Sequence, residues 1–304
     1  MTKQWRVQFD AEVSFANGGG LRTEGFRLDI PGQEINDEEV AALFVRHLGL
    51  LMVAEVRINN KTLIQEPHKG GRGMSGPTEA QRQLVELSHV LRDGMVTLPG
   101  WPAPRITDWL TREASRSNYA PGTEFHVARI DMIASTGTYL DAPGHRWAEG
   151  ADLAGVPLER LADLPGVVVR VPEEVRAVDR LMLAPYEVAG QAVLLHTGWD
   201  AHFGTERYAA PEHPYLTEEG ARWLVDAGAA LVGIDAVNID DTSPAAGGQR
   251  PAHSTLLAAG IPIVEHLRGL AALPPEGFRF TAAPPLVEGM STFPVRAFAS
   301  LGGQ

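Results

Sequence analysis

Ala192-Val193-Leu194-Leu195-His196-Thr197-Gly198-Trp199-Asp200 is an apolar run that ends abruptly in ionisable and turn-forming residues. Such a run, bounded by turn residues, reads as a strand buried on both faces. Three neighbours in sequence read the same way: Gly166 to Val171, Ala229 to Asp235, and Ile261 to Glu265. Between two of them Thr217 stands as the N-cap of a helix, with Glu218 and Glu219 in its first turn and Gly228 just beyond its end. Strands alternating with helices predict an α/β domain, here residues 82–304. Imidazoles and carboxylates at the ends of buried strands are where α/β proteins assemble their sites.

The chain upstream is organised differently. Trp5, Val7, Phe9, Ala11, Val13 and Phe15 alternate with mostly polar residues, the period of a half-buried strand, and Phe26, Leu28 and Ile30 resume it after Asn17-Gly18-Gly19-Gly20. Asn36 with Glu39 forms a capping-box signal, Val40, Leu43, Phe44 and Leu48 make one helical stripe, and Gly49 is placed to end it. A second hairpin is expected from Met52 to Gln65 around Asn59-Asn60. Residues 1–66 are thus expected to form a small α+β unit of order ββαββ, serving packing or assembly. Residues 67–81, rich in Gly and Pro, read as a linker.

Composition narrows the function. The 304 residues include 26 basic and 38 acidic side chains, a net charge of −12, which argues against nucleic acid or an anionic membrane as partner. Cysteine is absent, which removes disulfides, thiolate metal sites and a cysteine nucleophile. No apolar run approaches the roughly 20 residues of a membrane-spanning helix. The start Met1-Thr2-Lys3-Gln4-Trp5 lacks the apolar core of a signal peptide, so a cytoplasmic protein acting on a small molecule is the expectation.

The segment Ser135-Thr136-Gly137-Thr138-Tyr139-Leu140-Asp141-Ala142-Pro143-Gly144-His145 sets Asp141 and His145 four apart on a tight backbone path, and further on His253 and Glu265 are separated by a helix-like stretch. Asp, His and Glu together suit a divalent cation with positions left open for water. The region from about residue 82 to 300 resembles the cyclase family that includes bacterial kynurenine formamidase and isatin hydrolase. That family carries a run His-x-Gly-Thr-His-x-Asp-x-Pro-x-His, and later a His followed by Leu-Leu, Gly-Ile and Glu. The second mark stands here as His253-Ser254-Thr255-Leu256-Leu257-Ala258-Ala259-Gly260-Ile261-Pro262-Ile263-Val264-Glu265. The resemblance implies a swivelling β/β/α fold, metal-dependent hydrolysis of small amides or lactams, and a homodimer or higher homo-oligomer.

The first mark departs from the family: Ser135 and Tyr139 stand where it has its first two histidines. In two-metal relatives those histidines help to hold one metal, so that site is lost here. Asp141, His253 and Glu265 match the ligands of the other, which leaves at most one metal, with zinc and manganese the leading candidates. His145 matches the family's acid/base position, and the Tyr139 phenol is a candidate hydrogen-bond donor to a developing oxyanion. Ser135, His196, His126 and His202 are additional site candidates, and Trp101, Trp147 and Trp199 candidates for an aromatic wall. Asp240-Asp241 reads as a loop cap or a partner of Arg250. An alternative stays open: with two motif histidines gone, the chain is a metal-free lyase or cyclase, or a non-catalytic small-molecule binding protein of the same fold.

Overall fold

Strand β1 (Lys3–Phe15) alternates as its sequence does, sending Val7, Phe9 and Ala11 inward to complete burial. In the computed structural model, which describes residues 3–30, 34–50, 52–67 and 83–302, the chain divides into two compact units, Met1–Thr78 and Glu79–Gln304. In the first, β1 lies between β2 (Gly20–Ile30) and β3 (Val53–Pro67), all antiparallel. Helix α1 (Asp37–Leu48) covers one face with Val40 and Phe44, the Phe44 ring meeting Phe9 edge-on at 5.5 Å. Its ends form as the sequence dictates. Asn36 and Glu39 exchange side-chain and backbone hydrogen bonds in a capping box, and Gly49 takes φ +61° at the C-cap.

The expected second hairpin is not there. β3 runs unbroken through Asn59 and Asn60, so this unit is ββαβ rather than ββαββ. Asn60 does adopt a left-handed φ of +51°, but alone, which makes a bulge against β1 instead of a reversal. Its amide donates to Asp10 Oδ2 at 2.7 Å, and Ile58 and Leu63, on either side of the bulge, pair with Ala11 and Val7 of the same β1. Residues 68–81 of the expected linker lie outside the described residues.

The strands of the second unit are β4 (Gln83–Glu86), β5 (Arg105–Leu110), β6 (Val127–Asp131), β7 (Tyr139–Asp141), β8 (Leu164–Arg170), β9 (Ala177–Val178), β10 (Ala192–His196), β11 (Tyr215–Leu216), β12 (Leu231–Ile234), β13 (Ile263–Glu265), β14 (Phe278–Thr281), β15 (Thr292–Pro294) and β16 (Phe298–Leu301). Nine of them form one sheet in the order β15-β7-β13-β12-β10-β8-β14-β16-β4. The centre, β13-β12-β10-β8, is parallel and the flanks are antiparallel. Its helices are α2 (Arg112–Ser115), α3 (Arg180–Leu183), α4 (Glu218–Asp226) and α5 (Pro251–Ala258). Along β10, Val193 and Leu195 face a core shared with Leu224 of α4 and Leu256 of α5, while Ala192 and Leu194 face Leu140, Phe278 and Phe280. Burial on both faces is why these strands are continuously apolar in sequence. Thr217 caps α4 by accepting from Gly220 N. Among the described residues no helix is long and apolar enough to cross a membrane.

Candidate active site

Antiparallel pairing of β7 with β13 sets Tyr139 opposite Glu265 and Asp141 opposite Ile263. Tyr139 and Asp141, two apart, share one face of β7, so the Tyr139 hydroxyl reaches across and donates to Glu265 Oε2. The other oxygen of Glu265 accepts from the Ile239 backbone N–H at 2.6 Å. Ile239 belongs to the loop that follows β12, and that loop also supplies Asp240. One Asp240 oxygen accepts from Ala252 N at 2.6 Å, and the other takes His253 N at 3.0 Å and His253 Nδ1 at 2.6 Å. A single buried carboxylate thereby caps α5 and fixes the His253 ring, leaving Nε2 to face the centre.

At that centre His253 Nε2 lies 3.6 Å from Asp141 Oδ2 and 3.6 Å from Glu265 Oε1. His145 Nε2 lies 3.8 Å from Asp141 Oδ1, on the short turn Pro143–His145 that follows β7. The ligand-type atoms of Asp141, His145 and His253 all fall within 4.8 Å of one another. Asp141 is fully buried, and neither of its oxygens has a hydrogen-bond partner among the described residues. A buried carboxylate without a donor is costly unless a cation faces it. The donors present therefore fit a divalent cation. The pKa shifts reflect the same crowding. Burial pulls the His253 imidazole down, but the Glu265 charge, the bond to Asp240 and the Asp141 charge outweigh it and lift its pKa to about 10. Burial raises the Glu265 carboxyl, helped by the Asp141 charge and opposed by His253. Burial, then the Glu265 and Asp141 charges, drive the Tyr139 phenol well above its ordinary range, which keeps its proton in place.

A cleft of about 570 Å³ opens onto this cluster, lined by Ser135, Tyr139, His145 and His253 together with Trp101 and Arg250, among others. Of the additional candidates, only Ser135 borders it, its hydroxyl 3.4 Å from that of Thr292. His196 does not, because its Nδ1 is held at 2.8 Å by Arg170, which also ties down the Leu270 and Leu273 carbonyls. His126 pairs with Asp108 at 2.7 Å across the β5–β6 ribbon, and His202 packs edge-on against Trp199. Of the three tryptophans, Trp101 lines the cleft. Trp147 donates to Ser254 O, and Trp199 donates to Tyr208 O and packs in the core. Asp241 pairs with Arg176 rather than Arg250. The residue that sequence reasoning undervalued is Asp240: its carboxylate proves to be the partner of His253, and its only signal was an acidic pair beyond a buried strand.

Behind Tyr139 the buried His266 accepts or donates at Tyr208 OH (3.1 Å), and His89 stacks on Phe203. Burial holds both imidazoles neutral, with pKa values down to about 3 for His266 and about 4 for His89. The unfolded chain protonates near 6.5, ahead of the folded one, so stability falls as pH drops below that value. His266, wholly enclosed, is expected to contribute a slope of about 1.4 kcal/mol per pH unit until its folded pKa is reached. The raised His253 runs the opposite way: its contribution is complete below 6.5 and is lost only as pH climbs towards 10. Urea melts of the native chain and of His266→Gln between pH 7 and 4 test this, the variant showing the shallower acid slope.

The model of the Cyclase family ("Putative cyclase") matches residues 85–241. Kynurenine formamidase of Geobacillus thermodenitrificans is 30% identical over 204 residues, 66% of this chain and 90% of that protein. Among solved structures, one described as a predicted metal-dependent hydrolase from Bacillus stearothermophilus superposes with a TM-score of 0.57 at 27% identity, covering 73% of this chain and 99% of its own. Isatin hydrolase A from Labrenzia aggregata shares the fold, with a TM-score of 0.64 at 23% identity over 75% and 97% of the two chains.

Proposed function

This chain belongs to the cyclase family, and from that premise we propose that it hydrolyses the C–N bond of a small amide or lactam, or a related ester, with one divalent cation, zinc or manganese, held by Asp141, His253 and Glu265. The observation that carries the reading is the buried Asp141 carboxylate, whose two unpartnered oxygens face His253 Nε2 and His145 Nε2. When bound, such a cation polarises a carbonyl and lowers the pKa of water from 15.7 to about 7. The side chains do the rest. His145, at the cleft surface, carries a proton from the attacking water to the leaving nitrogen. Asp240 holds His253 in the tautomer that presents Nε2. The Tyr139 proton is committed to Glu265, which makes Tyr139 a positioning residue in this scheme rather than an oxyanion donor. Purified protein is expected to contain about one divalent cation per chain and to hydrolyse aryl formamides such as formanilide, with both lost on chelation. Protein free of cation yet active, or without either property, overturns the reading.

One observation favours the metal-free alternative. Protonated His253 set between Asp141 and Glu265 offsets part of their two negative charges without any cation. The same elemental analysis decides between the two.

For assembly we propose a homodimer in which the first unit takes part. The outer edge of β3 is unpaired among the described residues, because β3 bonds only to β1. A groove of about 760 Å³ lies beside it, lined by Ala41, Ala42 and Val45 of α1 and by Val53, Val56 and Ile58 of β3. A second copy fits by charge. Around a two-fold axis at Val56, Glu55 of one β3 stands opposite Arg57 of the other, and Ala54 opposite Ile58. The chain has no cysteine, so Val56→Cys reports directly. Strands paired there bring the two sulfurs within bridging range and mild oxidation yields a covalent dimer, whereas Thr62→Cys stays uncoupled. Failure of Val56→Cys to cross-link overturns this pairing.

A further inference from the structure

The neutral hydrogen-bonding groups along the cleft are mostly spent on other partners. The Tyr139 hydroxyl donates to Glu265, and the Ser135 hydroxyl faces that of Thr292 at 3.4 Å. Thr242 is spent as well. The His213 ring is fully buried, and its Nδ1 lies 2.9 Å from the Pro214 carbonyl, which can only accept. The ring proton is therefore on Nδ1, burial keeps the imidazole neutral, and Nε2 takes the Thr242 hydroxyl proton at 2.8 Å. Thr242 thus offers the cleft lone pairs and no hydrogen. Asn238 is the opposite case. Its Oδ1 accepts from Asp240 N at 3.0 Å, and only the amide oxygen can meet a backbone N–H, so the orientation of the group is settled. Nδ2, with two N–H groups, has no partner among the described residues and is not sealed from the cleft that Asn238 lines.

The placement of this amide is as specific as its orientation. Asn238, Ile239 and Asp240 are consecutive in the loop after β12. Ile239 N meets Glu265 and Asp240 holds His253, while Leu216 N ties the loop to β11 through the Ile239 carbonyl at 2.8 Å. The free N–H groups of Asn238 are thus carried by the same anchored stretch that sets two of the central side chains. The guanidiniums of Arg146 and Arg250, also on the cleft, are anchored elsewhere. Arg146 donates to Ser254 Oγ at 3.1 Å, and Arg250 to the Gln249 and Asp241 carbonyls. We infer that Asn238 is a catalytic residue, its Nδ2 donating to the carbonyl oxygen of the scissile amide as negative charge develops there. The oxyanion role rests on the hydrolase reading, whereas the free donor rests on the cleft alone. In the step, the water oxygen bonds to the carbonyl carbon and the π electron pair moves onto the oxygen facing Asn238. The pair returns as the C–N bond breaks, and the amine leaves with the proton carried by His145. A donor set in place before reaction stabilises that charge without reorganising.

Steady-state kinetics with formanilide and calorimetric titration with phenylphosphinate, a tetrahedral oxyanion, test the inference. Asn238→Ala is expected to lower kcat by roughly 100- to 1,000-fold, the cost of removing one preorganised oxyanion donor, with KM little changed. Asn238→Asp keeps an oxygen for Asp240 N and gives up the NH2, so it falls at least as far. Both variants keep the native cation content, because Asn238 is not a ligand. Native turnover in Asn238→Asp means that the side chain serves Asp240 alone and overturns the inference. Loss of the cation, or a larger fall in kcat for Arg250→Gln, overturns it too. Phenylphosphinate is expected to bind Asn238→Ala at least roughly 10-fold more weakly than the native chain, the scale of one hydrogen bond to a charged group. A native chain that hydrolyses no formamide removes the hydrolase reading, and this titration then still decides the donor: a weakened affinity upholds it and an unchanged one overturns it. Formamide turnover that is the same in native chain and Asn238 variants leaves the hydrolase reading standing and removes the donor.

Discussion

Asp141→Asn is expected to purify without a stoichiometric divalent cation and to lose at least roughly 100-fold in kcat/KM, since removing a group that merely supports a metal ligand already costs up to about that much. The native carboxylate lies wholly buried with both oxygens unpartnered. The amide offers one neutral oxygen and turns an NH2 into the same space, which removes the charge that draws a cation between His253 and Glu265. A second readout separates this from misfolding. Without cation, the native chain carries a buried carboxylate lacking any hydrogen-bond donor, so cation-free Asp141→Asn melts at or above the temperature of cation-free native protein. Asp240→Asn acts one step back, by loosening His253, and is expected to weaken cation affinity by roughly 10- to 100-fold. Elemental analysis and calorimetric titration with zinc or manganese measure both. Native cation content in Asp141→Asn ends the ligand assignment.

His145→Gln separates proton transfer from cation binding. The ring is 43% exposed and borders the cleft, whereas Asp141 behind it is sealed. Its removal is expected to lower kcat by roughly 100- to 10,000-fold, the usual reach of a positioned acid/base, with the cation retained by Asp141, His253 and Glu265. Its Nε2 also lies close enough to Asp141 and His253 for ligation. Loss of the cation in this variant would reassign His145 as a ligand.

The sequence spoke clearly where one local rule governed the outcome. Apolar runs such as Leu231–Ile234 became central parallel strands because burial on both faces leaves no polar alternation to read. Asn36 and Thr217 became N-caps because their side chains accept from the third residue along. It spoke poorly where distant segments decide. Asn59-Asn60 has the composition of a turn, yet continuous pairing with β1 turned it into a bulge. His196 ends a buried strand as a site residue would, yet Arg170 from the neighbouring β8 claims it. Asp240 and Asp241 are indistinguishable by type. Only the approach of α5 gives one to an imidazole, while the other goes to Arg176.

The double engagement of Asp240 has a mechanical corollary. The same two oxygens end the backbone of α5 and hold the ring that reaches the reactive centre. Any displacement of the helix start is thus transmitted to the imidazole without an intervening flexible joint. The fold and the tool it holds are welded at this point, and neither can be retuned through position 240 while the other stays as it was.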